Sequence, residues 1–600
     1  MLSNSPELLD PNAHHILVQF PPELIVQIYR INVYRGYDPS SCCLQEFPRE
    51  GIPSPLRDTI NASQVCHRLR EIALSSPQLW SRFIDVYHPR VAWVELLLQR
   101  SQPLGIDLLQ SGHCQAGKIS LPIDVIRQIS YQVHKRVISY RMRPNSRFWS
   151  SFGVWPETTN SWLMLEHLCL LNAHVYNWDQ GGGSESRMLP ENFPGRATPV
   201  LRRLHLQYCW MPDRWRYLKV LSDTLTCLVI EFPPKVAHLT LNGWMEIFND
   251  LPHLDALTLA CALQNPLEYE EPSKAFTLDI KSFTLKDRPK ECVHFFNHVS
   301  LTPTCHFFSL QCCTNSTFIL DDSLRALMAH AKRFYHELAM LQLFSKTVVR
   351  ILYAEIGIWG LPQSPSDTVP FPLLDEDDQL SDLAISKFRC SFHHGYNTDI
   401  CQPFPWASSE VDPIKCMLLE IFSEAVYAVE HVFLGLSLYM ETDKDALFEI
   451  LTRGNKISTL SYISPELWKS LYRALALGGS QDNSTLPLLC KISLDETHHL
   501  TNEDGDGSTV LEELVRLCEH RARIDLPIHR VELCRRSVRR ELPRKDVLKD
   551  IVTALAPLGV EVTVEEDDRH GEGRFGFESE DTSSDEDEEE PDEGGIGVEG

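Results

Sequence analysis

Asn502-Glu503-Asp504-Gly505-Asp506-Gly507, followed by Glu513, has the spacing of a calcium-binding loop. Side-chain oxygens fall at loop positions 1, 3, 5 and 12, with glycine at position 6. Two features oppose the metal. The first ligand is Asn rather than Asp, and Leu494–Leu500 ahead of the loop carries Asp495, Glu496, His498 and His499 instead of an amphipathic helix. Thr509 and Glu512 explain the segment as a capping box for a helix beginning near Val510, whose N-terminus favours the acids. The histidine pairs His14-His15, His393-His394 and His498-His499 are poor metal ligands. Adjacent side chains diverge, and no further ligand accompanies them. The chain has no GxSxG, HExxH or GxxxxGK-Ser/Thr motif, and its 18 cysteines include no CxxC. Gly181-Gly182-Gly183 lacks the lysine of a phosphate loop. The expectation is a non-catalytic chain without cofactor or metal.

The elements that would have to position any site belong to an ordinary globular composition. Of 600 residues, 43% are hydrophobic and 23% charged. That length predicts several compact domains or one long repeat array. No run reaches the roughly 18 uncharged apolar residues of a membrane span. Met1–Asp10 reads as neither a secretory signal nor a transit peptide. Cys169, Cys209, Cys227 and Cys261 lie in leucine-rich runs, where they act as small hydrophobes. Reduced thiols and a cytoplasmic or nuclear location follow as expectations.

The net charge of −26 is uneven. Glu565–Gly600 holds 17 acidic and 2 basic residues, leaving −11 for the rest of the chain. Residues 565–600 are therefore expected to be a disordered acidic tail. Within it, Thr582, Ser583 and Ser584 each precede an acid by three positions, an acidophilic-kinase pattern. The longest basic cluster, Arg535-Arg536 with Arg539-Arg540, is followed at once by Glu541. Neither a nucleic-acid nor a membrane partner is expected.

Phe20-Pro21-Pro22-Glu23-Leu24 opens a short helix with Leu24, Ile25, Ile28 and Tyr29 on its apolar side. A Pro- and Gly-rich loop follows over 32–57. A second helix is predicted over Asp58–Leu74 and ends at Ser75-Ser76-Pro77, ahead of Leu79-Trp80. Phe20-Pro21-Pro22-Glu23, Ile28-Tyr29, Val65-Cys66-His67-Arg68-Leu69 and Leu79-Trp80 together resemble an F-box. The string from Ala62 to Trp80 is similar to a large fungal subgroup. Phe20 stands where leucine is usual, Leu69 replaces the usual tryptophan, and 32–57 is an insertion. The resemblance implies a three-helix domain over 19–86, behind an N-terminal arm over 1–18. It implies that Pro21, Leu24, Ile28, Val65, Cys66, Leu69, Leu79 and Trp80 bind the adaptor subunit of a cullin–RING ubiquitin ligase. The surface of Pro21, Leu24, Ile28, Val65, Leu79 and Trp80 is expected to stay partly exposed in the free chain.

Behind this lies a repeated apolar-x-x-apolar-x-apolar pattern. It occurs at Leu165/Leu168/Leu170, Leu201/Leu204/Leu206, Leu225/Leu228/Ile230, Leu254/Leu257/Leu259, Ile280/Phe283/Leu285 and Cys305/Phe308/Leu310. The starts are 36, 24, 29, 26 and 25 residues apart. Less regular units follow at Leu338/Leu341/Leu343, Val429/Val432/Leu434, Ile457/Leu460/Tyr462, Leu489/Ile492/Leu494 and Ile528/Val531/Leu533. Helices are predicted over Asn242–Leu251, Asp443–Leu451, Pro465–Leu477, Leu511–Arg521 and Val547–Ala556, each ahead of a strand. The pattern resembles a leucine-rich repeat, whose period is about 20–29 residues. Surface insertions are expected over 178–199, 359–382 and 401–413.

The predicted fold class is α/β. An N-terminal three-helix F-box precedes an irregular leucine-rich-repeat-like solenoid over 87–564 and a disordered acidic tail. The resemblance implies a substrate receptor that holds the adaptor through the F-box and an unknown target protein through the repeats. The alternative is a repeat scaffold with no ligase role. A hydrolase is disfavoured, because no nucleophile–base constellation stands out.

Overall fold

A computed structural model describes residues 20–34, 55–109 apart from 83, 86, 87 and 89, 132–142, 162–171, 198–209, 224–232, 239–264, 275–314, 322–340, 346–352, 355–361, 386–394, 429–435, 454–463, 486–495, 509–534 and 545–565, with isolated residues between. The fold is α/β, with helices packed on a long, mainly parallel sheet. Among the described residues, no helix is long and apolar enough to cross a membrane. The expected arm 1–18, most of the 32–57 insertion, the segments 178–197, 362–382 and 401–413, residues 502–508 and the tail beyond Glu565 lie outside the described residues. Thr582, Ser583 and Ser584 lie there too, as do most of the helices expected over Asp443–Leu451 and Pro465–Leu477.

Four helices open the fold. They are α1 (Pro22–Tyr34), α2 (Pro55–Ser63), α3 (His67–Leu74) and α4 (Pro77–Trp80). Proline starts three of them, where its missing N–H costs no hydrogen bond. Helix α1 runs past Asn32, where a loop was expected, because Ile25, Val26 and Tyr29 hold its inner face in the core. The single helix expected over Asp58–Leu74 is two helices. The chain turns at Gln64-Val65, and extended Cys66 caps α3, its Sγ accepting from the Leu69 amide at 3.5 Å. Arg68 donates from Nη2 to the Phe20 carbonyl at 2.9 Å, tying α3 to the start of α1.

Among the described residues the sheet has 17 strands. After β1 (Ile84–Asp85) and α5 (Val91–Arg100) come β2 (Ile106–Leu109), β3 (Val137–Met142), β4 (His167–Leu171), β5 (Arg203–Gln207) and β6 (Cys227–Glu231). Helix α6 (Leu241–Asn249), β7 (Ala256–Ala260), β8 (Phe276–Leu278), β9 (Ser282–Asp287), α7 (Pro289–His298), β10 (Val299–Leu301) and β11 (Phe307–Thr314) follow. The strands from β1 to β11 pair in parallel and in chain order, except β8 and β10, which form a separate two-stranded sheet.

An in-register parallel sheet stacks equivalent positions. Leu108, Tyr140, Leu168, Leu204, Leu228, Leu257, Phe283 and Phe308 therefore form one buried ladder. Leu170, Leu206, Ile230, Leu259, Leu285 and Leu310 form a second. Each such side chain contributes about 1.5–3 kcal/mol by leaving water. The backbone repeats as well. The carbonyls of Glu166, Arg202, Thr226, Asp255 and Lys281 each accept two successive amides from the next turn of chain. Where β9 and β11 carry phenylalanine instead of leucine, the extra bulk stacks. Phe283, Phe295, Phe296, Phe308 and Phe334 form one cluster, with Phe308 and Phe334 centroids 4.3 Å apart.

The array changes character after β11. Helix α8 (Asp322–Met340) takes in Leu338, so the unit expected at Leu338/Leu341/Leu343 does not begin as a strand. Strands β12 (Lys346–Leu352), β13 (Glu355–Leu361) and β14 (Ser386–His394) then enter in reverse order. Strand β14 lies parallel to β11, while β13 is antiparallel to both β14 and β12. Trp359, expected to open an insertion, sits in β13. Parallel order resumes with β15 (Val429–Gly435), β16 (Thr459–Ile463), β17 (Lys491–Asp495), β18 (Arg530–Cys534) and β19 (Glu561–Glu565). Helices α9 (Val510–Arg523) and α10 (Lys545–Leu555) lead into the last two strands. Thr509 caps α9 by accepting the Glu512 amide on its side chain, as the capping pattern predicts.

Arg521 on α9 is buried. It donates to the carbonyls of Leu526, Leu486 and Leu489 at 2.9, 3.0 and 3.1 Å. Methionine has similar length but no donor, so Arg521→Met takes the side-chain donors from three carbonyls, of which that of Leu486 keeps the Leu489 amide at 3.1 Å. The expected loss is about 2–4 kcal/mol, read as a lower urea midpoint. An unchanged midpoint would mean that water takes over those carbonyls.

Candidate functional site

Helix α1 carries apolar side chains on two faces. Ile25, Val26 and Tyr29 face the core. Leu24, Ile28 and Ile31 are 51%, 39% and 65% exposed, spaced at i, i+4 and i+7 along the other face. Pro21 is exposed at the helix entrance. Val65 is exposed at the turn between α2 and α3, and Leu74 at the end of α3. Helix α1 packs directly on α2, α3 and α4, so these side chains belong to one helical unit.

The expected site residues thus divide. Pro21, Leu24, Ile28 and Val65 are exposed, and Cys66 is half-buried at its cap. Leu69, Leu79 and Trp80 are buried. The expectation that Leu79 and Trp80 are partly exposed is corrected. Trp80 Nε1 donates to the Ala73 carbonyl at 2.6 Å, and the Arg100 guanidinium lies 4.8 Å from its ring centroid. Those contacts carry the indole inward, between the helical unit and α5. Ile31 and Leu74 were not singled out from sequence. Ile31 falls on the Leu24/Ile28 spacing, and only the loop placed at Asn32 hid it.

Across β2–β5, the strand face opposite the apolar ladders carries polar side chains. In register across β2–β5 lie Asp107, Ser139, His167 and Arg203, with Arg141, Cys169 and His205 in the next row. Asp107 is buried and pairs with Arg82. Desolvation, then Arg203, Arg141, Arg82 and Arg202, push His167 down to about 4, so it stays neutral at physiological pH. Further along, Glu231 accepts from Gln207 Nε2 at 2.8 Å and from Tyr208 OH at 3.0 Å, and lies 3.8 Å from Lys286. Among the described residues, no group of three or more His, Cys, Asp or Glu is placed to hold a metal ion.

Asp287 is an acid displaced from its ordinary range. Burial pushes it up to about 7. It accepts the amides of Leu263 at 3.0 Å and Arg288 at 2.9 Å, which makes it a clamp on the loop after β7. The folded chain therefore holds this proton more tightly than the unfolded chain. Stability from this group is full below about pH 4 and is lost as pH rises toward 7. Relative to Asp287→Asn, the wild type should gain about 1–2 kcal/mol between about pH 7.5 and pH 5.5. Paired urea melts at both pH values test this. A pH-independent difference would mean that the carboxyl stays ionised in the fold.

No protein-family model matches the chain. No curated protein matches its sequence.

Proposed function

We propose that the chain is the target-recognition subunit of a cullin–RING ubiquitin ligase. Its first four helices serve as an F-box, and its strand array serves as a leucine-rich-repeat-like target-binding domain. One observation carries this reading: α1 is apolar on both faces, and the core uses only one. A helix in a small unit gains nothing by showing Leu24, Ile28 and Ile31 to water, and exposed apolar clusters mark interfaces. The adaptor of the ligase is the partner that the resemblance implies for those residues. Support for the repeat reading comes from the in-register ladders and from Cys209. Cys209 stands five residues after Leu204, where leucine-rich repeats place Asn or Cys, and its Sγ donates to the Leu170 carbonyl at 3.6 Å.

In this role the chain supplies proximity rather than chemistry. It brings a ubiquitin-charged carrier near a lysine of the bound target. The target is a protein held on the polar strand face, in the cytoplasm or nucleus. A specific observation also favours a ligase-free scaffold. Trp80 and the Ser81 carbonyl, which accepts the Asp107 amide at 2.8 Å, join the helical unit to the start of the sheet as an end-cap would. A direct pull-down decides. Purified wild-type chain should capture purified adaptor at micromolar concentration. Failure to do so rejects the ligase reading and leaves the scaffold.

A further inference from the structure

We propose that the cavity between α7, β10, β11 and α8 binds a small aromatic carboxylate, whose ring stacks on Phe296 and Phe334 and whose acid pairs with Arg333. The cavity measures about 270 Å³, near the lower end of the range for ligand pockets, so it suits a ligand of one ring. Its walls are the rings of Phe296, Phe308 and Phe334, with Val299 and Leu301. Ser300, His330 and Arg333 supply its polar groups. The surrounding elements account for the walls. Helix α7 packs on β9, β10, β11 and α8, while β10 pairs with β8 in the separate two-stranded sheet. Phe296 from α7 and Phe334 from α8 approach Phe308 with ring centroids 6.0 and 4.3 Å away. Phe308 is buried, but Phe296 and Phe334 are only half-buried, so ring surface stays open at the cavity. A further aromatic ring packs on such surfaces offset or edge-on.

The polar groups set the charge of the ligand. Ser300 Oγ donates to the Phe276 carbonyl at 3.4 Å and lies 3.2 Å from Thr277 Oγ1, so its hydroxyl is engaged. His330 donates from Nε2 to Asn297 Oδ1 at 3.1 Å. Burial and then Arg333 lower its pKa, so the ring is neutral at physiological pH. Arg333 is therefore the cation of this cavity. It is exposed at the rim, and no acid among the described residues pairs with it. The acids of α8 are Asp322, at the helix start, and Glu337, one turn beyond Arg333. A guanidinium holds a carboxylate through two parallel N–H···O bonds, and an apolar wall beside them strengthens both. A neutral ring ligand leaves that fork unused, and an aliphatic acid forgoes the ring faces. Ring surface and cation together thus select an aromatic acid. The site uses no residue of α1–α4, so it stands apart from the ligase reading.

The test is calorimetric titration of the full-length chain with cinnamate, its neutral amide cinnamamide, and hexanoate. Wild type should bind cinnamate with a Kd on the order of 100 μM. Cinnamamide should bind about five- to tenfold more weakly, because it gives up the ion pair. Hexanoate should also bind more weakly, because it gives up the ring contacts. Arg333→Gln replaces an exposed helix residue by one of similar helix propensity, so the fold is kept. It should reduce cinnamate to the level of cinnamamide and leave cinnamamide unchanged. Glu337→Gln removes the acid one turn along α8 and should bind cinnamate at least as tightly as wild type. Phe334→Leu keeps an apolar wall without a ring and should weaken cinnamate and cinnamamide alike, with the urea midpoint confirming that it stays folded. Wild type that takes up no cinnamate at about 10 mM overturns the proposal. So does cinnamate binding that survives both Arg333→Gln and Phe334→Leu, which would lie elsewhere on the chain. Equal losses of cinnamate and cinnamamide in Arg333→Gln, or weaker cinnamate binding by Glu337→Gln, would overturn the pairing with Arg333 and the proposal with it. None of these measurements involves the adaptor, so their failure leaves the ligase reading untouched.

Discussion

Leu24→Ala combined with Ile28→Ala should weaken adaptor capture by more than about a hundredfold and leave the fold intact. Large apolar side chains near an interface centre cost about 2 kcal/mol or more each when truncated. Two of them on one helix face give about 4 kcal/mol, and each 1.4 kcal/mol is tenfold. The same pair costs little in the free chain, because Leu24 and Ile28 are 51% and 39% exposed there. Alanine is also the best helix former, which offsets the small loss of contact. Circular dichroism and the urea midpoint should therefore barely move. Ile25→Ala is the control, since Ile25 faces the core one residue away. It should lower stability, with binding retained by the fraction that stays folded. Undiminished capture by the Leu24/Ile28 pair would show that α1 presents a different face to the adaptor.

The contrast between those two variants shows where the sequence was legible. Periodicity marked α1 as amphipathic and grouped Leu24, Ile25, Ile28 and Tyr29 on one side. The structure sends Ile25 and Tyr29 inward and leaves Leu24 and Ile28 outside. Glu23, Gln27 and Arg30 mark the polar edge of α1, but the apolar arc that remains is too wide for periodicity to say which part of it is buried, so its neighbours decide. The leucine triplets were legible for the opposite reason. Parallel in-register pairing forces each unit to repeat the same inward positions, so Leu168, Leu204, Leu228 and Leu257 declare themselves by spacing. Leu338 fits the same spacing yet lies in α8, where Leu327, Met328, Ala331 and Tyr335 set a helical period that outweighs the triplet. The reversed order of β12–β14 left no trace in composition, because strand order is a property of long-range pairing. At the candidate site, Cys66 read as a contact residue, and the structure adds a second role, as a helix cap. Nothing local distinguishes the two roles. The difference rests on the Leu69 amide, which a motif does not display.

Trp80→Ala should act on stability instead of on binding. The indole is 1% exposed, and its loss opens a cavity among Ala73, Leu79 and the helix α5 contacts. Truncating a buried tryptophan costs about 3–5 kcal/mol. The Ala73 carbonyl loses the indole donor at 2.6 Å but keeps the Ser76 amide at 3.3 Å, and Arg100 loses the ring face it lies over. Trp80→Phe separates these contributions. It keeps most of the apolar volume but leaves the carbonyl without the indole N–H, so about 1–3 kcal/mol should go. Both variants should raise hydrogen exchange across α3 to α5, where the helical unit meets the sheet. Trp80 is the largest side chain buried in the N-terminal helices among the described residues, and marginal units open first. Adaptor affinity, measured below the unfolding transition of each variant, should change by less than about threefold for Trp80→Phe. A large loss of affinity in that variant, with its urea midpoint preserved, would place the ring at the adaptor interface and require α4 to swing outward on binding. The opposite result would establish Trp80 as the wedge that holds α1 at the angle where Leu24, Ile28 and Ile31 face outward.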